Sequence, residues 1–389
     1  MALTLVVNPG SSSKKYALYK NGTAVLTMYY ERTPLGFELC TEVSQTRQTC
    51  EGVSADTFNE ALSHCLAFSQ SDGLVADLAQ IETVVVRVVV PGTAFLRHCR
   101  IDADYLHRLK NQECSAPLHV PHTLREIAIV QKVLPQARLL AASDSVFHAS
   151  IPSCARTYSI EPAVAAEHDL YRFGYHGLSV ASVVRRHHAV VGYDPTRAVI
   201  CHIGSGVSVT AVAAGKSVAT SMGYSPSTGL PMASRAGDLD GGVVLALMRA
   251  RSWRPLDTET YLSTRGGLCA LSGTPDLRLV IEAAARCEQA AVQALDHYVH
   301  HLTTAIAAAT VSLGGIDSLI FTATAGERSS FLRARIAAKL GFLGVVLDEA
   351  KNELAHSKDA IISPQGSLVK VAVVRTDEMG EMALVATTV

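Results

Sequence analysis

Charge imbalance is the first thing this chain of 389 residues lacks. It carries 34 basic and 35 acidic residues, for a net charge of −1. That balance gives no electrostatic basis for holding nucleic acid or an anionic membrane. The opening MALTLVVNPG has no basic start and meets Pro9-Gly10 early, so no secretory signal is expected. Long apolar runs are missing too. The nearest, LTTAIAAATVSLGGIDSLIF, is interrupted by Gly314, Gly315 and Asp317, so no membrane-spanning helix is expected. The nine cysteines are odd in number, widely spaced and free of any CxxC pair. They point to dispersed free thiols in a reducing cytoplasm rather than to a disulfide framework or zinc site. No low-complexity linker marks a domain boundary.

What is present is an ordinary globular composition, 48% hydrophobic, with length for two or three domains. Residues 3–7 read as a strand, followed by Pro-Gly-Ser-Ser-Ser, a second strand near 15–20, an Asn21-Gly22 turn and a third strand in AVLTMYY. The same grammar returns in AVICHIGSGVSVTAVAAGKSVATS, from Ala198 to Ser221. Gly10 and Gly204 lie about half the chain apart, which suggests two similar domains, each opening with a Gly/Ser-turned hairpin. Taken singly, such a turn is either an ordinary hairpin or a cradle for phosphate.

Elsewhere strands and helices alternate, the mark of the α/β class. TVVVRVVVPG and ARLLAASDSVF read as strands, and HTLREIAIVQKVL and DGGVVLALMRARS as helices. Ile281–Leu313 reads as one long Ala-rich helical stretch, buried or at a subunit interface. SLIFTATAG reads as a strand entering a loop, and VKVAVVRTDE as a further strand. Arg87 is conspicuous within TVVVRVVVP. It is either an edge-strand arginine facing water or a fixed positive charge that requires an anionic partner.

NPGSSSKKY, RVVVPG, APLHVP, DSVFH, FGYHGLS, CHIGSGVSV, TSMGYSPSTGLPMASRAGDLD, FTATAGE and RTDE follow in order from Asn8 to Glu378. In sequence and spacing this series resembles the acetate kinase family. The resemblance implies a duplicated actin-like (ribonuclease H-like) α/β fold with the active site in the interdomain cleft. Its N-terminal domain would span 1–146, completed by 378–389. Its C-terminal domain, 147–377, would bind nucleotide and form a homodimer. The implied reaction is reversible transfer of the γ-phosphoryl group of ATP to acetate or a similar short carboxylate, with Mg²⁺ or Mn²⁺.

The resemblance also assigns roles. Arg87, Asp144, His176 and Arg235 would be catalytic, with His176 and Arg235 stabilising the transition state and Arg87 also binding the carboxylate. Asn8 and Glu378 would associate with metal. Ser11, Ser13, Lys15, His202, Gly204, Ser205 and Gly206 would meet phosphate. Asp276, Leu277, Arg278, Gly326 and Glu327 would lie by the nucleoside. Val89, Leu118, Tyr175 and Pro226 would line a small acyl pocket. His119 is the next candidate, and His148 reads as structural.

The chemistry fits such a set. A carboxylate with a pKa near 4–5 is already ionised at neutral pH and needs no general base. Its difficulty is approaching a polyanion, which calls for arginines and neutral donors around the moving phosphoryl group. Several positions depart from the family pattern: Val90, Pro91, Val120, Val180, Ser205, Tyr175 and Thr324. Tyr175 is expected to add a hydroxyl to the acyl pocket. Thr324 is expected to meet a backbone position that wants positive φ or to crowd the base. These departures keep open another short acid such as propionate, a pyrophosphate donor, and a non-catalytic nucleotide-binding protein. A sugar kinase would need Asp144 as a base toward a hydroxyl.

Overall fold

The hairpin grammar folds as expected in a computed structural model that describes residues 3–10, 13–33, 35–44 and 46–389. Contacts divide the chain into two compact units, one of Met1–Val146 with Asp377–Val389 and the other of Phe147–Thr376.

In the first unit, β1 (Leu3–Asn8), β2 (Ser13–Lys20), β3 (Thr23–Thr33), β4 (Gly36–Val43) and β5 (Arg47–Val53) form an antiparallel meander. Asn21 and Gly22 both have positive φ at the β2–β3 turn, the backbone that matches the right-handed strand twist. β6 (Ile81–Val88) and β8 (Arg138–Ser143) then add parallel to β1, and β7 (Cys99–Arg100) closes the edge. Successive side chains on a strand face opposite ways. Leu3, Leu5 and Val7 join Val84, Val86 and Val88 in a core with the helices Ala61–Ser71 and Val120–Val133. Val6 and Val85 face the other side, where the C-terminal helix Glu378–Thr388 packs on β1, β6 and β8. Both faces are covered, which is why β6 reads as continuous valine.

The second unit repeats the plan. β9 (Arg197–Ile203), β10 (Val207–Ala213) and β11 (Lys216–Thr220) form the meander, again with positive φ at both turn residues, Ala214 and Gly215. β12 (Ser318–Thr322) and β14 (Lys370–Val373) add parallel to β9, and β13 (Ala360–Ile361) closes the edge.

Three expectations need correction. The helical stretch through Leu313 is two helices, Leu277–Ala285 and Gln289–Leu313, because Cys287 takes a left-handed conformation (φ 61°) between them. The apolar stripe of the longer helix, including Ala291, Leu295, Tyr298, Leu302 and Ile306, is consumed by the sheet of its own unit. FTATAG continues from β12 into a helix, Ala323–Arg328, and the positive φ falls on Ala323 (64°) while Thr324 is helical and exposed. Finally, Cys40 and Cys50 are disulfide-bonded. Their spacing says nothing of this, but the antiparallel register of β4 and β5 sets them directly opposite. The remaining seven cysteines are free.

Among the described residues, no helix is long and apolar enough to cross a membrane.

Candidate active site

Three parallel strands of the first unit bring their C-terminal ends together, the place where ligands gather in α/β sheets. Asn8 ends β1, Arg87 is the penultimate residue of β6, and Asp144 follows β8, its N–H still bonded to Val88 O at 3.0 Å. Arg87 alternates with Val86, so it emerges on the face covered by the C-terminal helix, whose first residue is Glu378. Its Nη1 donates to Asn8 Oδ1 (3.3 Å), its Nη2 to Asp144 Oδ2 (3.0 Å), and Glu378 Oε2 lies 3.7 Å from Nη1. Burial opposes the charge on Arg87, but Asp144 and then Glu378 outweigh it and hold the guanidinium above its ordinary value. The arginine in the valine run therefore has its anionic partners. Its Nε is buried with no hydrogen-bond partner among the described residues.

β2 begins at this end of the sheet. Lys15 is the register partner of Asn8 and places its Nζ over the Tyr29 ring at 4.8 Å. Gly10 cannot be replaced without movement, because an added Cβ would sit 2.6 Å from the carbonyl oxygen of Ser13. Ser11 lies outside the described residues. Val89, Leu118 and His119 are half-buried, and His119 is the N-cap position of Val120–Val133.

The second unit presents hydrogen-bonding groups rather than paired charges. His176 precedes the helix Gly177–Val191 in a left-handed conformation (φ 59°). Its Nδ1 bonds Ser208 Oγ on β10 at 3.0 Å, and its ring stacks on that of His202 with centroids 3.9 Å apart. His202 Nδ1 bonds Ser179 Oγ at 2.8 Å, and Ser179 accepts from Thr376 Oγ1 at 2.8 Å. Glu327 Oε1 accepts from the N–H groups of Thr376 and Ala323, both at 3.0 Å, which ties FTATAGE to RTDE.

Gly206 joins this group to Arg235. A Cβ on Gly206 would stand 3.0 Å from His176 Nε2 and 3.5 Å from Arg235 Nη1. Arg235 donates to Pro226 O at 2.9 Å, and its loop is pinned where Ala233 N–H donates to Ser205 O at 3.2 Å. His176, His202, Gly206, Arg235 and Pro226 are thus one cluster, and a Cβ added at Gly204 would stand 3.6 Å from His202 Nε2. Asp276 caps the helix Leu277–Ala285, and its carboxylate pairs with the exposed guanidinium of Arg278 at 2.6 Å. That hydrogen bond holds the Asp276 carboxyl below its usual range. Gly326 O is bonded by the fully buried Arg333 at 2.9 Å.

One expectation changes here. The Tyr175 hydroxyl is not offered to a pocket: it is buried and donates to Tyr224 O at 2.5 Å. Val90, Val120 and Val180, which depart from the family pattern, are all core residues. His148 is buried, with Nδ1 on Ser217 Oγ and Nε2 on Tyr175 O. Sequence reasoning missed Ser179 and Thr376. Ser179 was within reach, since the third residue after His176 begins the same helix one turn on. Thr376 was not, because 197 residues separate it from Ser179.

Two sheets of one topology, with the arginine and histidine clusters at their strand ends, define a phosphotransferase of the actin-like α/β class. Residues 3–385 match the model of the Acetokinase family, and the chain belongs to that family. It is 35% identical to an acetate kinase of Clavibacter michiganensis subsp. michiganensis, over 98% of each chain. It is also 35% identical to an acetate kinase of Thermotoga petrophila, over 96% of this chain and 95% of the other. Among solved structures, Porphyromonas gingivalis acetate kinase superposes with a TM-score of 0.86 at 29% identity, covering 100% and 99% of the two chains. A propionate kinase from Francisella tularensis subsp. tularensis gives 0.89 at 27% identity, covering 99% of both.

Proposed function

We propose that the chain reversibly transfers the γ-phosphoryl group of ATP to acetate, giving acetyl phosphate and ADP. The observation that carries this reading is Arg87, a cation fixed among Asn8, Asp144 and Glu378 at the ends of three parallel strands. An ionised carboxylate oxygen attacks the γ-phosphorus in line, the bond to the bridging oxygen breaks, and ADP leaves with that electron pair. No proton has to move. Arg87 orients the acid and screens its charge from the phosphates, and its buried Nε suits a further anionic acceptor. His176 and Arg235 donate to the phosphoryl oxygens, and Gly206 leaves room beside both for the passing group. The backbone of Gly204–Gly206, with Ser13, Lys15 and His202, attends the phosphates. Asp276–Arg278, Gly326 and Glu327 attend the nucleoside.

The donor set suits Mg²⁺. Asp144, Glu378 and Asn8 offer oxygen ligands only, and no group of three His, Cys, Asp or Glu forms a full cage among the described residues. Mg²⁺ takes one or two carboxylates and completes its shell with phosphate and water. When bound it neutralises charge on the phosphate oxygens.

The same reading makes the chain a cytoplasmic homodimer associating through its second unit. Val243, Leu245, Leu256, Tyr261 and Leu279 are exposed on helices of that unit and support a covered face there. Light scattering giving a monomer at micromolar concentration overturns the dimer. Propionate is the second reading, favoured by the likeness to the Francisella enzyme. A hydroxylamine trap for acyl phosphate, run with ATP, GTP and pyrophosphate against acetate, propionate and butyrate, tests all of these. The expected result is the largest kcat/KM for ATP with acetate. No acyl phosphate in any combination overturns the assignment.

A further inference from the structure

Outside this site, the helix Gln289–Leu313 carries His297, His300 and His301 within five residues. A helix returns to one face after four residues, so His297 and His301 stand one above the other. Their ring centroids are 4.3 Å apart, and His300 meets His301 edge-on at 5.4 Å. His297 is exposed and His301 half-buried. None of the three joins an ion pair among the described residues. Burial lowers the pKa of both His297 and His301, and neighbouring imidazoles lower each further. Neutral imidazole is the form that binds metal.

The surroundings are those of a site rather than a bare surface. His301 lines a cavity of about 330 Å³ with Arg172, Leu230, Asp238 and Ala305. Asp238 faces His301 closely enough for its charge to act on the ring. It also clamps a loop: Asp238 N–H donates to Gly229 O at 2.8 Å, and Gly229 N–H donates to Asp238 Oδ1 at 2.7 Å. That loop carries Arg235.

We propose that His297 and His301 bind a divalent transition-metal cation of the zinc, nickel or copper class, at the rim of this cavity and beside the loop that carries Arg235. Imidazole at i and i+4 on one helix face is a two-point ligand for such ions. Nitrogen donors select them over Mg²⁺, so the site is chemically separate from the oxygen-rich one at Arg87. Water completes the shell, because no third His, Cys, Asp or Glu is preformed within reach among the described residues. The cation sets a positive charge opposite Asp238, draws its carboxylate from Gly229 N–H and slackens the Arg235 loop. Its consequence is inhibition, an arm that rests on the phosphotransferase reading above.

The test is calorimetric titration of the full chain, without a histidine tag, with NiCl₂. Thermal unfolding with and without NiCl₂ runs beside it for the wild type, His297→Gln, His301→Gln and the double variant. The expected result is a single site whose affinity falls about tenfold or more when either imidazole is lost. The Ni²⁺-induced rise in unfolding temperature should vanish in the double variant. Both side chains reach solvent, so the metal-free variants should unfold with the wild type. In assays the variants should keep their metal-free kcat, and the double variant should escape Ni²⁺ inhibition. Wild-type Ni²⁺ affinity in the double variant overturns the proposal. If no acyl phosphate forms with any chain, the phosphotransferase reading fails, while the titration still decides the metal site.

Discussion

The two units share one frame and spend it differently. Each lays an antiparallel meander, five strands in the first unit and three in the second, beside two added parallel strands. In the first, the ends of β1, β6 and β8 hold a cation between carboxylates. In the second, β9 and β10 hold two stacked imidazoles in a relay of hydroxyls, Thr376 to Ser179 to His202 and Ser208 to His176. A sheet topology fixes where strand ends converge and leaves open which chemistry stands there. A cation held between carboxylates suits an anion that is always present. Donors on imidazole and guanidinium suit charge that grows only in the transition state.

The largest effect should separate the two clusters by activity. Arg87→Ala should cost on the order of 10²–10³ in kcat, and His176→Ala on the order of 10². Added guanidinium should partly restore only the first variant. A loss under about threefold in both, read by the hydroxylamine trap, breaks the comparison. Next in size is a buried ion pair of the first unit. Glu126 accepts from Tyr16 at 3.2 Å and pairs with Lys14 at 2.8 Å. Glu126→Ala strands that lysine and should cost about 3 kcal/mol in urea unfolding. The disulfide belongs to the first unit as well. Cys40→Ser with Cys50→Ser should lower stability by about 2 kcal/mol, and a reducing agent should then have no further effect.

The smallest effect tests the second unit by pH. His187 is fully buried, bonding Tyr193 O and Ser318 Oγ, and burial lowers its pKa. The folded protein then binds fewer protons than the unfolded chain. The contribution is complete above the unfolded value near 6.5 and is lost as pH falls toward and through the lower folded value. Urea midpoints at pH 7.5 and 5.5 should differ less in His187→Gln than in the wild type.

Much of this was legible in the sequence because it is local. Period-two alternation and the Asn-Gly turn specify the hairpins, and an arginine among valines announces a buried charge that needs partners. What was hidden is non-local or conformational. Nothing near Cys287 or Ala323 signals a left-handed residue, and both reset the elements around them. The Cys40–Cys50 bond follows from strand register, which spacing alone does not give. Tyr175 could be placed beside a pocket but not paired with Tyr224, 49 residues on.

The C-terminal helix has a consequence for how the protein is made. Glu378 reaches Arg87 from a segment that follows the whole second unit in the chain. On the ribosome, β1 to β8 emerge early and can form their sheet, while one face of that sheet waits for its cover. The arginine gains Asp144 within the first half of synthesis and Glu378 only near its end. A nascent chain therefore lacks Glu378 beside Arg87 until its last residues are made, and a message truncated before residue 377 yields a first unit with one face of its sheet uncovered.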